Sequence, residues 1–239
     1  MAAEISDAGA WPRGQGNGFV SLSYELTTPR DRYIEEKLAA GGKGLETAGF
    51  TSIYAELGIS DHWTMGLDTG AEDDAQSKQQ LIFASYAIGP FFERHQIALE
   101  FGIGDRYFPG DPDDAGSVRD LRPAGSEIVL RPGISWGMGF ESPLGSGWAA
   151  LDLRHEYRLS REETVYKADL TLGSQIPGNR LAYIQAQYGD YPGTKPSLRL
   201  APGVVQKVNK TISLEAALLY DVESSADQLG LKLGLWLDF

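Results

Sequence analysis

The last eleven residues constrain this chain more than any other stretch. From Leu229 they read Leu-Gly-Leu-Lys-Leu-Gly-Leu-Trp-Leu-Asp-Phe. Strand side chains alternate with period two, so Leu229, Leu231, Leu233, Leu235, Leu237 and Phe239 share one face. Gly230, Lys232, Gly234, Trp236 and Asp238 share the other. A strand of a soluble sandwich can alternate in this way, but it seldom does so right up to a terminal aromatic.

The same parity recurs upstream. Alternating stretches predict strands at about 18–27, 49–59, 62–71, 79–89, 95–106, 126–140, 147–158, 163–173, 180–190, 195–207, 210–221 and 227–239. In the first, Val20, Leu22, Tyr24 and Leu26 oppose Ser21, Ser23 and Glu25. In the eleventh, Ile212, Leu214, Ala216, Leu218 and Tyr220 form the apolar face. The fourth is the least regular, because Leu81 and Phe83 fall on the polar side. Pro132 lies inside the sixth and predicts a bulge or local break, since proline cannot donate to a ladder.

Twelve strands form an even set, which leaves both termini on one side of a membrane. Connection lengths alternate too. After even-numbered strands they are short: Ser60-Asp61, Gly89–Arg94, Pro143–Gly147, Ile176–Asn179 and around Asn209. After odd-numbered strands they include the long polar segments 28–48 and 107–125, with smaller loops near 72–78, 160–162, 191–195 and 222–226. Short turns on one side and longer loops on the other are the habit of a transmembrane barrel. About ten residues at roughly 3.3 Å rise, tilted roughly 40°, span on the order of 25 Å, the height of its apolar band. Aromatics gather at strand ends, with Trp63, Phe92, Phe140 and Phe239 on the turn side and Tyr24, Tyr157, Tyr166, Tyr188 and Tyr220 on the loop side. Two such girdles are expected at the two membrane interfaces.

Composition makes sense only after this sorting. The 239 residues carry 21 Lys+Arg and 33 Asp+Glu, a formal charge of -12, and are 42% hydrophobic. Averaged, those figures describe a soluble acidic protein; sorted by parity, they become a lipid-facing band plus charge divided between lumen and loops. The absence of cysteine removes disulfides, thiolate metal sites and cysteine nucleophiles. Acidity without a basic stripe argues against a nucleic-acid partner. No run of about 18 apolar residues is present, so no transmembrane helix is expected.

Phe239, with Leu237 and Leu235 two and four places earlier, resembles the C-terminal strand of Gram-negative outer-membrane β-barrel proteins. That resemblance implies an assembly signal read by the barrel-assembly machinery. Gly9-Ala10-Trp11-Pro12-Arg13, followed by Gly16, Gly18 and Phe19, loosely resembles barrel proteins of the meta-pathway phenol-degradation type. The expectation is an all-β, single antiparallel transmembrane barrel over 17–239, with a periplasmic lead-in over 1–16 and both termini periplasmic. Met1-Ala2-Ala3-Glu4 lacks a basic and apolar leader, which fits a chain whose signal peptide has been removed.

Closing such a barrel turns the polar parity inward. The expected lumen lining is Glu25, Glu56, Asp68, Glu100, Arg131, Asp152, Arg154, Glu156, Arg158, Lys167, Asp169, Arg199, Glu215 and Lys232. Lys207 and Asp238 share that parity. The Asp152/Arg154/Glu156/Arg158 ladder stands out, with Arg131, Lys167 and Asp169 as its expected cross-strand partners. Two readings stay open. The charges pair and fill a narrow barrel, or they line a hydrated pore and select among small solutes.

The function expected is a passive pore, with a non-conducting structural or partner-binding barrel as the alternative. An outer-membrane lipid hydrolase comes third. For catalysis, His62 and His95 fall at short turns, while His155 takes the lipid-facing register with neither an orienting acid nor a matching serine. Asp111-Pro-Asp113-Asp114-Ala-Gly116 begins like a calcium loop, but Arg122 stands where the bidentate Glu belongs. Glu72-Asp73-Asp74 is a solvated acidic loop. No cofactor is expected. The partners expected are outer-membrane lipids and lipopolysaccharide, the assembly machinery and a small solute.

Overall fold

The structure, a computed structural model, describes residues 9–30, 47–73, 78–91, 94–108, 125–143, 145–160, 162–224 and 227–239. All regular structure among them is strand. In chain order the strands are β1 (Gly18–Pro29), β2 (Ala48–Gly58), β3 (Trp63–Glu72), β4 (Lys78–Phe91), β5 (His95–Phe108) and β6 (Gly125–Ser142). They continue as β7 (Gly145–Arg158), β8 (Glu163–Ile176), β9 (Arg180–Asp190), β10 (Ser197–Lys207), β11 (Ile212–Glu223) and β12 (Gln228–Asp238). Each pairs antiparallel with its sequence neighbour, and β1 pairs with β12 to close the barrel. Closure leaves no strand edge unpaired, the condition for crossing hydrocarbon with strands.

The closing seam runs from Phe19 opposite Asp238 to Pro29 opposite Gln228. Beyond it, Gly18 N donates to Phe239 O at 2.6 Å and Phe239 N to Gly18 O at 3.0 Å. Both chain ends of the barrel therefore meet at one rim. That rim also holds the connections of two to four residues at 59–62, 92–94, 143–144, 177–179 and 208–211. At the opposite rim the strand ends are joined by spans of 18, 5, 16, 4, 6 and 4 residues. The expected alternation of short and long connections is present.

The ladders shift register at two places, neither at Pro132, where the expected break is a local lapse in pairing without a shift. Register shifts between Ala87 and Pro90 on β4, where Gly89 takes φ +108, and between Leu198 and Arg199 on β10. Around Pro132 the β6–β7 register is the same on both sides, Leu130 opposite Tyr157 and Gly133 opposite Arg154. The ring points outward, and only the pairing with β7 lapses locally. A proline whose missing N–H falls at such a gap breaks nothing further.

Parity sorts the two faces. Leu22, Ile53, Met65, Ile82, Leu99, Ile134, Leu172, Leu214 and Leu233 are all exposed on the outside. Such a belt needs an apolar surround, because water around it would cost the whole of its burial energy. Trp63 and Tyr86, with ring centroids 4.9 Å apart, stand in the belt at the short-turn rim, where Phe239 at the closing seam is exposed as well. Tyr24, Tyr166, Tyr188 and Tyr220 mark the other rim, where the Tyr24 hydroxyl donates to Asp73 Oδ2 at 2.7 Å and Arg30 lies over the Tyr220 ring at 4.7 Å. Phe92 lies outside the described residues.

The inner face is less uniformly polar than its sequence promised. Leu81 and Phe83 of β4 do point inward and are buried there. Nearer the short-turn rim, Phe19, Trp148, Ala150, Leu181, Val205 and Trp236 form one apolar cluster, with Trp11, Tyr54 and Tyr183 packed against it. These side chains come from β1, β2, β7, β9, β10 and β12, so the cluster reaches across the lumen.

Candidate lumen site

Charged side chains line the remaining lumen in three larger groups and an Arg13–Glu56 pair. The largest spans β3 to β8. Arg131 donates from Nη1 to Asp68 Oδ2 at 2.6 Å and from Nε to Glu100 Oε1 at 3.1 Å. The same Glu100 oxygen lies 3.5 Å from Arg154 Nε, and Arg154 Nη1 donates to Asp169 Oδ2 at 3.2 Å. Asp152 accepts from Ser135 Oγ at 2.5 Å. The chain Asp68–Arg131–Glu100–Arg154–Asp169 thus crosses the wall with alternating sign.

Toward the loop rim, Glu156 accepts from Lys167 Nζ on Oε1 at 2.7 Å, and its Oε2 lies 3.2 Å from Arg106 Nη1 as an ion pair. Arg158 lies between Glu163, at 3.3 Å, and Glu127, at 3.8 Å. Arg106 also donates to Gln79, whose amide reaches Asp68 Oδ1 at 3.0 Å and joins the two levels. A small pocket opens among Gln79, Leu81, Asp105, Arg106, Val129 and Glu156. Cross-strand register explains the β7–β8 pairs: Arg154 is opposite Lys167 and Glu156 opposite Val165, so Arg154 and Lys167 reach diagonally to Asp169 and Glu156, while Arg158 is directly opposite Glu163.

The second group closes the seam side. Arg199 donates to Asp221 Oδ1 at 2.6 Å and to Gln228 at 3.2 Å, and lies 3.5 Å from Glu25. The third surrounds Glu215, which takes Lys232 and the Trp236 indole N–H at 3.2 Å each and the Tyr183 hydroxyl. Glu56 accepts from Tyr54 at 2.5 Å and from Arg13. Charge-assisted bonds of this kind are the only economical way to hold ionised groups this buried.

All fourteen expected lining residues therefore fall on the inner face, and the structure joins most of them into shared networks. Arg131 and Arg154 meet through Glu100 rather than directly, while Lys167 and Asp169 are direct partners of the ladder. Arg106, Glu127, Glu163 and Asp221 belong to the same networks and carry the same parity signal, though the sequence reading passed over them. Of the residues expected to form an assembly signal, Leu235 and Leu237 share the outer face with exposed Phe239.

His155 stacks on Tyr166 on the outer face, ring centroids 4.9 Å apart and planes 10° apart. Its Nε2 is buried without a hydrogen-bond partner among the described residues. A general base needs a proton to take and a group to orient it, and that stack provides neither. His62 Nδ1 faces the Ala87 carbonyl at 3.1 Å, and His95 Nδ1 accepts from the Trp136 indole at 3.2 Å. Asp111–Gly116, Arg122, Asp74, Met1–Glu4 and most of loops 28–48 and 107–125 lie outside the described residues.

A closed twelve-stranded antiparallel barrel with an apolar belt, two aromatic rims and a charged interior defines a class of fold: the outer-membrane β-barrel. No family model and no curated protein matches the chain. Among solved structures it is similar to the KdgM porin, with a TM-score of 0.61 at 11% identity, covering 92% of this chain and 99% of that one. The KdgM porin in complex with disordered oligogalacturonate gives 0.61 at 10%, covering 92% and 99%. The NanC porin gives 0.60 at 9%, covering 91% and 100%. The likeness is one of fold over nearly the whole length of each chain.

Proposed function

We propose that the protein is a passive outer-membrane pore for small polar or aromatic solutes, which its charged lumen selects. The observation that carries this reading is the alternating charge chain Asp68–Arg131–Glu100–Arg154–Asp169 inside a barrel whose outside is apolar. A barrel serving only as an anchor gains nothing from burying ions, whereas rings of charged side chains are how channels sort solutes. The KdgM porin has been solved with an oligogalacturonate. Here acids and bases alternate along the wall, which favours uncharged or zwitterionic solutes over long polyanions.

On this reading the short-turn rim and both termini face the periplasm, and residues 17–239 form the barrel. Leu235, Leu237 and Phe239 present the assembly signal, and the belt contacts lipid and lipopolysaccharide. Planar-bilayer recording on refolded protein tests the function. Discrete, ohmic channel steps are expected, with ion selectivity that moves toward cations in Arg154→Gln. A well-folded barrel that never conducts, with or without its N-terminal segment in place, would overturn it. The aromatic cluster across the short-turn end favours one second reading, a non-conducting structural or partner-binding barrel, and the same recording separates the two.

A further inference from the structure

Residues 9–16 do not hang below the barrel. The chain entering β1 turns back through Gly14 and Gly16, at φ +75 and +81, and runs up inside the lumen. Gly16 N donates to Gly58 O at 2.9 Å, and Arg13 N to Thr64 Oγ1 at 3.3 Å, which fixes the segment to β2 and β3. The Arg13 side chain pairs with Glu56 and lies over the Phe19 ring at 4.5 Å. Ala10 is wholly buried, Trp11 packs on the apolar lumen cluster, and Gly9 reaches Ser135 and Asp152 on β6 and β7. The segment therefore crosses the bore from one wall to another.

The wall is shaped to receive it. A side chain at Gly137 would occupy the space of the Trp11 ring, and one at Gly58 would collide with the Gly14 carbonyl. Both glycines have unremarkable φ, so their backbones do not require glycine; the space taken by the segment does. Unlike the strands, the segment is attached by side chains and a few terminal hydrogen bonds rather than by a ladder. It can leave without opening the sheet.

We infer that residues 9–16 form an internal plug that docks in a glycine-cut socket of the lumen and closes the pore, which conducts when the plug is released. The inference rests on the pore reading above. Trp11 packs on the apolar cluster of Phe19, Trp148, Leu181 and Trp236, with Tyr54 and Tyr183 packed on the same cluster, so the segment completes a constriction that the strand side chains begin.

The chain has no cysteine, so a lock can be built cleanly. A Cβ placed on Gly9 would stand 3.1 Å from Ser135 Oγ, within reach of the Cβ separation of roughly 4 Å that a disulfide needs. The full-length Gly9→Cys/Ser135→Cys barrel is recorded in bilayers after copper–phenanthroline oxidation and again after dithiothreitol, beside wild type and Trp11→Ala/Arg13→Ala. Folding is checked by heat-dependent gel mobility. Oxidation is expected to cut mean conductance at least tenfold and reduction to restore it, while Trp11→Ala/Arg13→Ala exceeds wild type by a similar factor. Equal currents through oxidised, reduced and Trp11→Ala/Arg13→Ala barrels would overturn the plug and leave the pore standing. Silence from the reduced pair, the wild type and Trp11→Ala/Arg13→Ala would remove the pore reading, and the plug with it. Failure of the cysteine pair to oxidise in a folded barrel would also overturn it, because Gly9 would then lie elsewhere.

Discussion

Gly18 and Phe239 exchange both of their backbone hydrogen bonds, and the Phe239 ring lies where a side chain at 18 would project. The last residue of the chain is thus the final rung of the closing seam, and the first residue of β1 is glycine to make room for it. Gly18→Val should push the ring off the seam and cost about 1–3 kcal/mol, the range for inserting methyl groups into packed sites. The check is the urea midpoint of unfolding from liposomes. An unchanged midpoint would mean that the contact contributes nothing to closure.

Lys232 and Leu233 are adjacent in sequence and on opposite sides of the wall. Lys232 is held by Glu215 at 3.2 Å, while Leu233 is 62% exposed in the middle of β12. Leu233→Lys should therefore cost about 2–4 kcal/mol at the bilayer midplane. Lys232→Leu should cost Glu215 one partner while its bonds from Trp236 and Tyr183 remain. Unfolding midpoints of the two variants in the same lipid are the measurement, and a tolerated lysine at 233 would place the belt against something other than hydrocarbon.

The strands were legible because parity is a property of a few consecutive residues, and it survives any tertiary context that keeps one face in lipid. The same rule placed Glu100, Arg131 and Arg154 inside together. It could not find the aromatic closure, because Trp148, Leu181 and Val205 look like lipid-facing residues until counted against Asp152, Tyr183 and Lys207 on their own strands. Trp236 was sorted correctly, but nothing local says that an inward indole will meet Phe19, ring centroids 5.9 Å apart, across the seam. Residues 9–16, expected only as part of a periplasmic lead-in, could not be placed against the wall from sequence. They have no period, and their position depends on two distant glycines, Gly58 and Gly137, whose meaning appears only when the segment is seated against them.

His155 tests the lipid-hydrolase reading from the stability side. Its Nε2 is buried without a partner, and its ring already stacks on Tyr166. Replacing an unpaired buried polar group with an apolar one of similar shape is neutral or stabilising, by up to about 1 kcal/mol. His155→Phe should therefore unfold at the wild-type denaturant concentration or slightly above, with phospholipid turnover in proteoliposomes unchanged. A loss of turnover would restore a catalytic role for the ring.

Glu100 is the hinge of the charge chain, since one of its oxygens serves both Arg131 and Arg154. Both arginines keep other acids, Asp68 and Asp169, so neither is stranded when Glu100 goes. Removing one partner from a buried ion pair costs about 3–5 kcal/mol, and the spare acids should hold Glu100→Gln to the low end of that range. Arg131, only 3% exposed, has no such latitude, and Arg131→Met should leave Glu100 and Asp68 facing each other's charge. The double variant Glu100→Leu/Arg131→Met is therefore expected to be more stable than Arg131→Met alone, because an apolar pair replaces the uncompensated acid. Unfolding of the two single variants Glu100→Leu and Arg131→Met and the double variant gives the coupling directly. Strict additivity would show that water, not Arg131, carries the Glu100 charge, and the lumen would then be wetter than this packing implies.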